Sequence, residues 1–161
     1  LQTQKSGWHK IKLWRPLYDN VNMILARFLS GRYRTESLAR HWSKNPNGYC
    51  LLESCRKQNI IEDTEHILVR CGAYDECKKK LYSLWLSTRN PVVHMLVLEA
   101  ISNTKEYLVT FTLDCSTLPS VILAVQEHGS SILDELFYLT RTWCFSLHRE
   151  RMRMLGRWNF Q

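Results

Sequence analysis

Residues 50–71 read CLLESCRKQNIIEDTEHILVRC, which places Cys50, Cys55, His66 and Cys71 in a C-x4-C-x10-H-x4-C pattern. Thiolates and an imidazole suit a tetrahedral zinc ion. Two ligand pairs from short local loops can close that tetrahedron. Cys50 and Cys55 bracket the turn LLES. Asp63 or Thr64 is placed to cap a short helix, which puts His66 in its first turn and Cys71 at or past its end. Gly72 would then let the backbone reverse. The linker RKQNIIEDTE must arch over to bring the pairs together. Four protein ligands leave no open position, so the ion would hold the fold and polarise no substrate. The plainer alternative is buried free thiols beside a surface histidine. Cys77 could replace one ligand, but a place in the core suits it better. His41 could approach the metal, but a surface or core role suits it better, and Cys115 and Cys144 read as buried hydrophobes.

Outward from this stretch the patterning is helical. Val21, Ile24, Leu25, Phe28 and Leu29 form one stripe, with Gly31 where a helix C-terminus wants it. TESLARHW is a short helix with Thr35 as its N-cap, and SKNPNG is punctuation. In AYDECKKKLYSLWLST, Tyr74, Leu81, Trp85 and Cys77 share a face. Asn90 caps the next helix and Pro91 takes its first position. EYLVTFTLDC has the β-branched and aromatic content of a short strand, but it lies between helices with no obvious partner and is read as helix or irregular. STLPSVILAVQEHG is a helix ending at Gly129. The last helix runs from Ser130 or Ser131 to about Leu155, with Leu133, Leu136, Phe137, Leu139, Cys144 and Leu147 on its apolar side. The expected class is all-α, with a small zinc-stapled loop and short-helix module. Three segments follow: a basic helical segment over 1–45, the CCHC module and its helix over 46–90, and a C-terminal helical segment with a basic tail over 91–161.

Composition agrees with a packed domain: 161 residues, 45% hydrophobic, net charge +7. The charge is uneven. Residues 1–50 hold nine Lys/Arg against Asp19 and Glu36, whereas 51–100 balance at seven and seven and 101–161 at six and six. RERMRMLGRW adds a basic tail. This asymmetry points to a polyanion partner, the plainer alternative being solvated faces. No apolar run of transmembrane length is evident, and the opening LQTQKSGWHKIK has no signal-peptide core. A first residue other than Met predicts a piece of a longer chain.

LSGRYRTESLARHW, the C-x4-C pair and DTEHILVRCGAYDECKKKL together resemble the zinc-binding module that follows the polymerase domain in non-LTR (LINE-type) retrotransposon reverse transcriptases. Leu29, Ser30, Gly31 and Arg32 match the family's first stretch, Cys50 and Cys55 its cysteine pair, and Glu65, His66 and Cys71 its acidic -EH- segment and last cysteine. The family more often has a shorter first pair, and often Pro where this chain has Gly72. The resemblance implies a zinc-stabilised, nuclear domain of a reverse-transcriptase polyprotein, with cytoplasmic assembly of its ribonucleoprotein. Such a domain contacts element RNA or target DNA during target-primed reverse transcription and has no membrane role. The residues that agree are Arg27, Arg32, Arg34, Arg40 and Lys44, interleaved with Tyr33 and Trp42. Lys78, Lys79 and Lys80 join them, as do Arg149, Arg151, Arg153 and Arg157 beside Trp158.

The same residues offer catalysis little. The chain has no Tyr/Phe-x-Asp-Asp polymerase motif, no phosphate-cradling glycine loop and no G-x-S-x-G elbow. Asp63, Glu76 and Lys78 have the spacing of a restriction-like nuclease, but they fall on helices flanking the zinc loop. The segment is therefore expected to be non-catalytic by itself. A zinc-stabilised protein-interaction or scaffold domain, a domesticated copy included, is the alternative function.

Overall fold

The computed structural model describes residues 20–156 except Ser43. It is mostly helical: α1 Asn20–Leu29, α2 Glu36–Ala39, α3 Glu53–Arg56, α4 Asp75–Leu86, α5 Pro91–Ser102, α6 Lys105–Asp114, α7 Pro119–His128 and α8 Ser131–Met154. A π turn, His66–Arg70, and a 3-10 turn, Gly72–Tyr74, lie between α3 and α4. Among the described residues the extended pairing is one antiparallel bridge, Tyr49 with Ile61. The ambiguous EYLVTFTLDC is helix α6, started by Thr104, whose hydroxyl accepts from the Tyr107 amide.

Local chemistry accounts for the helix ends. The Thr35 side chain accepts from the Leu38 amide, and the Asn90 side chain from those of Val92 and Val93. Each satisfies an amide that the first turn leaves unpaired. Gly31 and Gly129 take φ +68° and +94° after α1 and α7, the left-handed region that favours glycine.

The long helix α8 organises the rest, packing on α1, α4, α5, α6 and α7. Its stripe Ile132, Leu136, Leu139, Trp143, Cys144 and Leu147 is buried. Trp143 and Trp85 lie 4.5 Å apart between ring centroids, with Phe111 against Trp85 at 5.3 Å. Both indoles are satisfied, since Trp85 Nε1 donates to the Leu139 carbonyl and Trp143 Nε1 to that of Leu68. One continuous core runs from Ile24 through the Cys/His stretch to Leu147.

The stretch Lys105–His128 has the length and composition to cross a membrane, contrary to the sequence reading. The 3-10 turn Cys115–Thr117 and Pro119 divide it into two helices. Its Leu108, Phe111, Cys115 and Val121 are buried against the other helices, while Leu123 is 54% exposed.

Candidate metal centre

The four expected ligands converge. One ligand atom from each of Cys50, Cys55, His66 and Cys71 lies within 4.8 Å of the other three, and all four residues are buried. Cys55 Sγ and Cys71 Sγ are 3.6 Å apart. Four ligands about 2.0–2.3 Å from one cation span edges of roughly 3.3–3.8 Å. Those two sulfurs therefore sit at coordination spacing, and the cysteines are free rather than disulfide-bonded. His66 Nε2 is buried and has no hydrogen-bond partner. A buried imidazole nitrogen left in that state is costly, and a cation is the partner this donor set fits. The neighbouring Cys71 sulfur, and then burial, push the Cys50 thiol well above its ordinary range. A divalent cation reverses that order by binding the thiolate. Cys50, Cys55, His66 and Cys71 can thus hold a metal ion.

The two arms are set by backbone hydrogen bonds. The Cys50 amide donates to the Ile60 carbonyl at 2.7 Å and the Glu62 amide to that of Gly48 at 2.9 Å, a clasp that closes the linker. Gly48 is required here. Its φ is +69°, and a Cβ would come 2.8 Å from Ser37 Cα. On the second arm Asp63 Oδ1 accepts from the His66 amide at 2.7 Å, the cap expected from sequence. The Cys71 amide then donates to the His66 carbonyl at 2.7 Å, five residues back. This widened π turn brings the two ligands' backbones together, as such turns often do at sites. Gly72 does not make the reversal that was expected of it. It opens the 3-10 turn without a positive φ, and a Cβ there would meet only Asp75 Oδ2, at an ordinary 3.6 Å. That is a first-turn position that Pro also suits.

The structure corrects three residues read as nucleic-acid contacts. Lys78 is buried, its ammonium donating to the carbonyls of Val69 at 2.8 Å and Cys71 at 3.0 Å. It closes the end of the π turn, and burial lowers its pKa. Arg151 is 1% exposed, the Nη2 nitrogen 2.6 Å and the Nε nitrogen 3.3 Å from the two carboxylate oxygens of Glu62, which is itself fully buried. Burial opposes the Arg151 charge, and Glu62 more than restores it. Glu62 Oε1 also accepts from the Glu36 amide at 2.9 Å. Glu36 is buried too, with Oε1 3.7 Å from Arg151. Tyr33 is buried, stacked on Phe28 at 3.8 Å, its hydroxyl 2.7 Å from His148 Nδ1. Burial pushes the Tyr33 phenol up to about 12. None of the three side chains can reach a phosphate or a base, because each is already used inside the protein.

Other expected contacts are at the surface. Arg27, Arg32, Arg34, Arg40, Lys44, Lys79, Lys80, Arg149 and Arg153 are exposed. Lys79 pairs with Glu76 at 4.0 Å, and Arg153 pairs with Glu150. Trp42 is 63% exposed, next to His41, which accepts from Arg40 Nε. Neither His41 nor the half-buried Cys77 joins the quartet. Arg157 and Trp158 lie outside the described residues. Asp63, Glu76 and Lys78 do not form a nuclease centre: one caps, one is exposed and the third is buried.

Sequence reading missed the buried acids Glu62 and Glu36. A signal for the buried cations did exist. Arg151 continues the stripe of Trp143 and Leu147 at four-residue steps, and Lys78 lies between Tyr74 and Leu81.

The fold and site define an all-α domain carrying a Cys3His quartet able to hold a metal ion. No protein-family model, curated protein or solved structure matches the chain.

Proposed function

We propose that this chain is the nucleic-acid-binding segment that follows the polymerase domain of a LINE-type reverse transcriptase, with a structural zinc ion in the Cys50, Cys55, His66 and Cys71 quartet. The observation that carries the metal half is the convergence of three free, buried thiols with the buried His66 imidazole, whose Nε2 has no hydrogen-bond partner. Three thiolates and one imidazole favour zinc over harder cations such as magnesium or calcium. Support for the nucleic-acid half is the exposed series Arg32, Arg34, Arg40, Trp42 and Lys44, which immediately precedes the first ligand pair in the chain. Phosphates take the cations and an unstacked base takes the indole face. The segment supplies affinity, and catalysis belongs to the polymerase of the parent polyprotein, which acts in the nucleus.

Electrophoretic shift of labelled RNA, single-stranded DNA and duplex across a salt series tests the reading. Binding should weaken steeply with salt. Replacing Arg32, Arg34, Arg40 and Lys44 by Ala should lower the slope of log K against log salt by roughly one for each phosphate no longer neutralised. Absence of binding to all three at low salt favours the second reading, a zinc-stabilised interaction or scaffold domain. The exposed apolar side chains Met95 and Leu98 on α5 and Leu123 on α7 favour that alternative.

A further inference from the structure

Helix α2 is four residues long. Helices that short are unstable in water by themselves. Its supports lie on the clasp of the metal centre. Two of the amides that its first turn leaves unpaired are taken by Glu62: that of Glu36 donates to Oε1 at 2.9 Å, and that of Ser37 to the backbone carbonyl at 3.1 Å. Thr35 takes the amide of Leu38. Past the helix, Asn45 Nδ2 donates to the Tyr49 carbonyl at 2.6 Å and to Glu36 Oε2 at 3.4 Å. Gly48 and Ser37 approach each other so closely that no Cβ fits between them.

Both arms of the clasp lead into ligands. Segment 48–50 ends at Cys50, and segment 60–62 is followed by Asp63, which caps the turn that begins at His66. A pair of extended segments that short is marginal by itself, and an ion shared by Cys50 and His66 closes the same loop from its other end. Arg151 holds the Glu62 carboxylate from α8, but the carbonyls of Glu62 and Tyr49 move with the clasp. Arg40, Trp42 and Lys44 follow α2 and are exposed. Arg32 instead adjoins Tyr33, which is anchored on Phe28 and His148, away from the clasp. We propose that metal loading regulates the polyanion-binding surface. The loaded quartet fixes the clasp, the clasp holds α2 through Glu62 and Asn45, and α2 presents Arg40, Trp42 and Lys44 at set positions. Arg32 stays placed without metal. Glu62 and Asn45 are thus positioning residues. The inference rests on both halves of the function proposed above and supplies the link between them.

Amide hydrogen exchange of the full chain, zinc-loaded and metal-free, provides the test, measured well below the melting temperature of the metal-free form. Segment 36–42 should lose protection about tenfold or more without zinc, while α5, α6 and α7 keep theirs. Affinity for a labelled single strand should fall about tenfold in parallel, because binding must then order the segment. Arg40→Ala should weaken strand binding more in the loaded protein than in the metal-free one, and Arg32→Ala by the same factor in both. Asn45→Ala gives a second arm that needs no metal-free protein. It should keep one zinc per chain and the protection of α5–α7, yet speed exchange over 36–42 and weaken strand binding. Equal protection of 36–42 with and without zinc overturns the proposal. So does a loss of protection that is uniform from α1 to α8, or faster exchange in Asn45→Ala with unchanged strand affinity. Failure of wild type to take up one zinc per chain overturns the metal reading, and failure of the loaded protein to bind any strand at low salt overturns the nucleic-acid reading. Each failure is therefore distinguishable from the others.

Discussion

Arg151→Met separates the two roles open to a basic side chain on α8. Arg151 and Glu62 are 1% and 0% exposed, and their nitrogen and oxygen atoms approach to 2.6 Å. Methionine keeps much of the volume and removes the charge. Glu62 is left buried with one amide donor, and Glu36 loses its cation as well. Breaking a buried pair from one side costs about 3–5 kcal/mol, far more than the pair's net worth. A domain of this size shifts in Tm by roughly 2–4 °C per kcal/mol, so Arg151→Met should melt about 6–20 °C lower. Arg149→Met, two residues away and exposed, should stay within about 0.5 kcal/mol of wild type. The double variant Arg151→Met/Glu62→Leu should recover part of the loss, because the buried Glu62 carboxylate is gone, while Glu36 still lacks its cation and its amide loses its acceptor. Circular dichroism melting of the four proteins provides the measurement. If Arg151→Met melts within about 2 °C of wild type and instead lowers the salt slope of nucleic-acid binding by about one, the buried-staple argument is wrong and Arg151 contacts phosphate.

Further outcomes follow from the same geometry. Exhaustive chelation should melt the clasp and the π turn and lower Tm, and an unchanged melting curve would refute a structural ion. Gly48→Ala should cost on the order of 1–3 kcal/mol by chemical denaturation because of its left-handed φ and the 2.8 Å approach to Ser37. Gly72→Ala, with neither constraint, should be close to neutral. His148 is held down to about 4 by burial, then by Arg151 and Arg27, from an ordinary value of 6.5. Its neutral form is the folded one, so the stability it contributes is complete above pH about 6.5 and is lost as pH falls from there towards about 4. His148→Gln should flatten that part of the stability profile, and equal slopes for the two proteins would refute the assignment. Trp42→Ala should weaken binding to single strands without lowering Tm, since the indole is 63% exposed.

Much of this protein was legible in its sequence because the determining interactions are short-range. Thr35, Asn90 and Asp63 cap because an oxygen beside a helix start meets unpaired amides within three residues. The quartet was legible for a related reason: donor chemistry and loop spacing are both local properties, and the 22 residues from Cys50 to Cys71 contain all four ligands. Even EYLVTFTLDC, whose apolar residues allow either period, was limited to two outcomes.

The fate of the charges was decided only by the tertiary structure. Arg149, Arg151 and Arg153 look equivalent in RERMRM, yet one is buried on Glu62, 89 residues away, while the other two are at the surface. Lys78 in the run KKK closes a turn by donating to the Cys71 carbonyl seven residues before it. Tyr33 reaches His148 across 115 residues. A charge or hydroxyl is used wherever its complement lies, and chain folding brings that complement from distant segments. Sequence determined which groups exist and which helices carry them. Long-range packing against α8 determined which of them remain available to a partner.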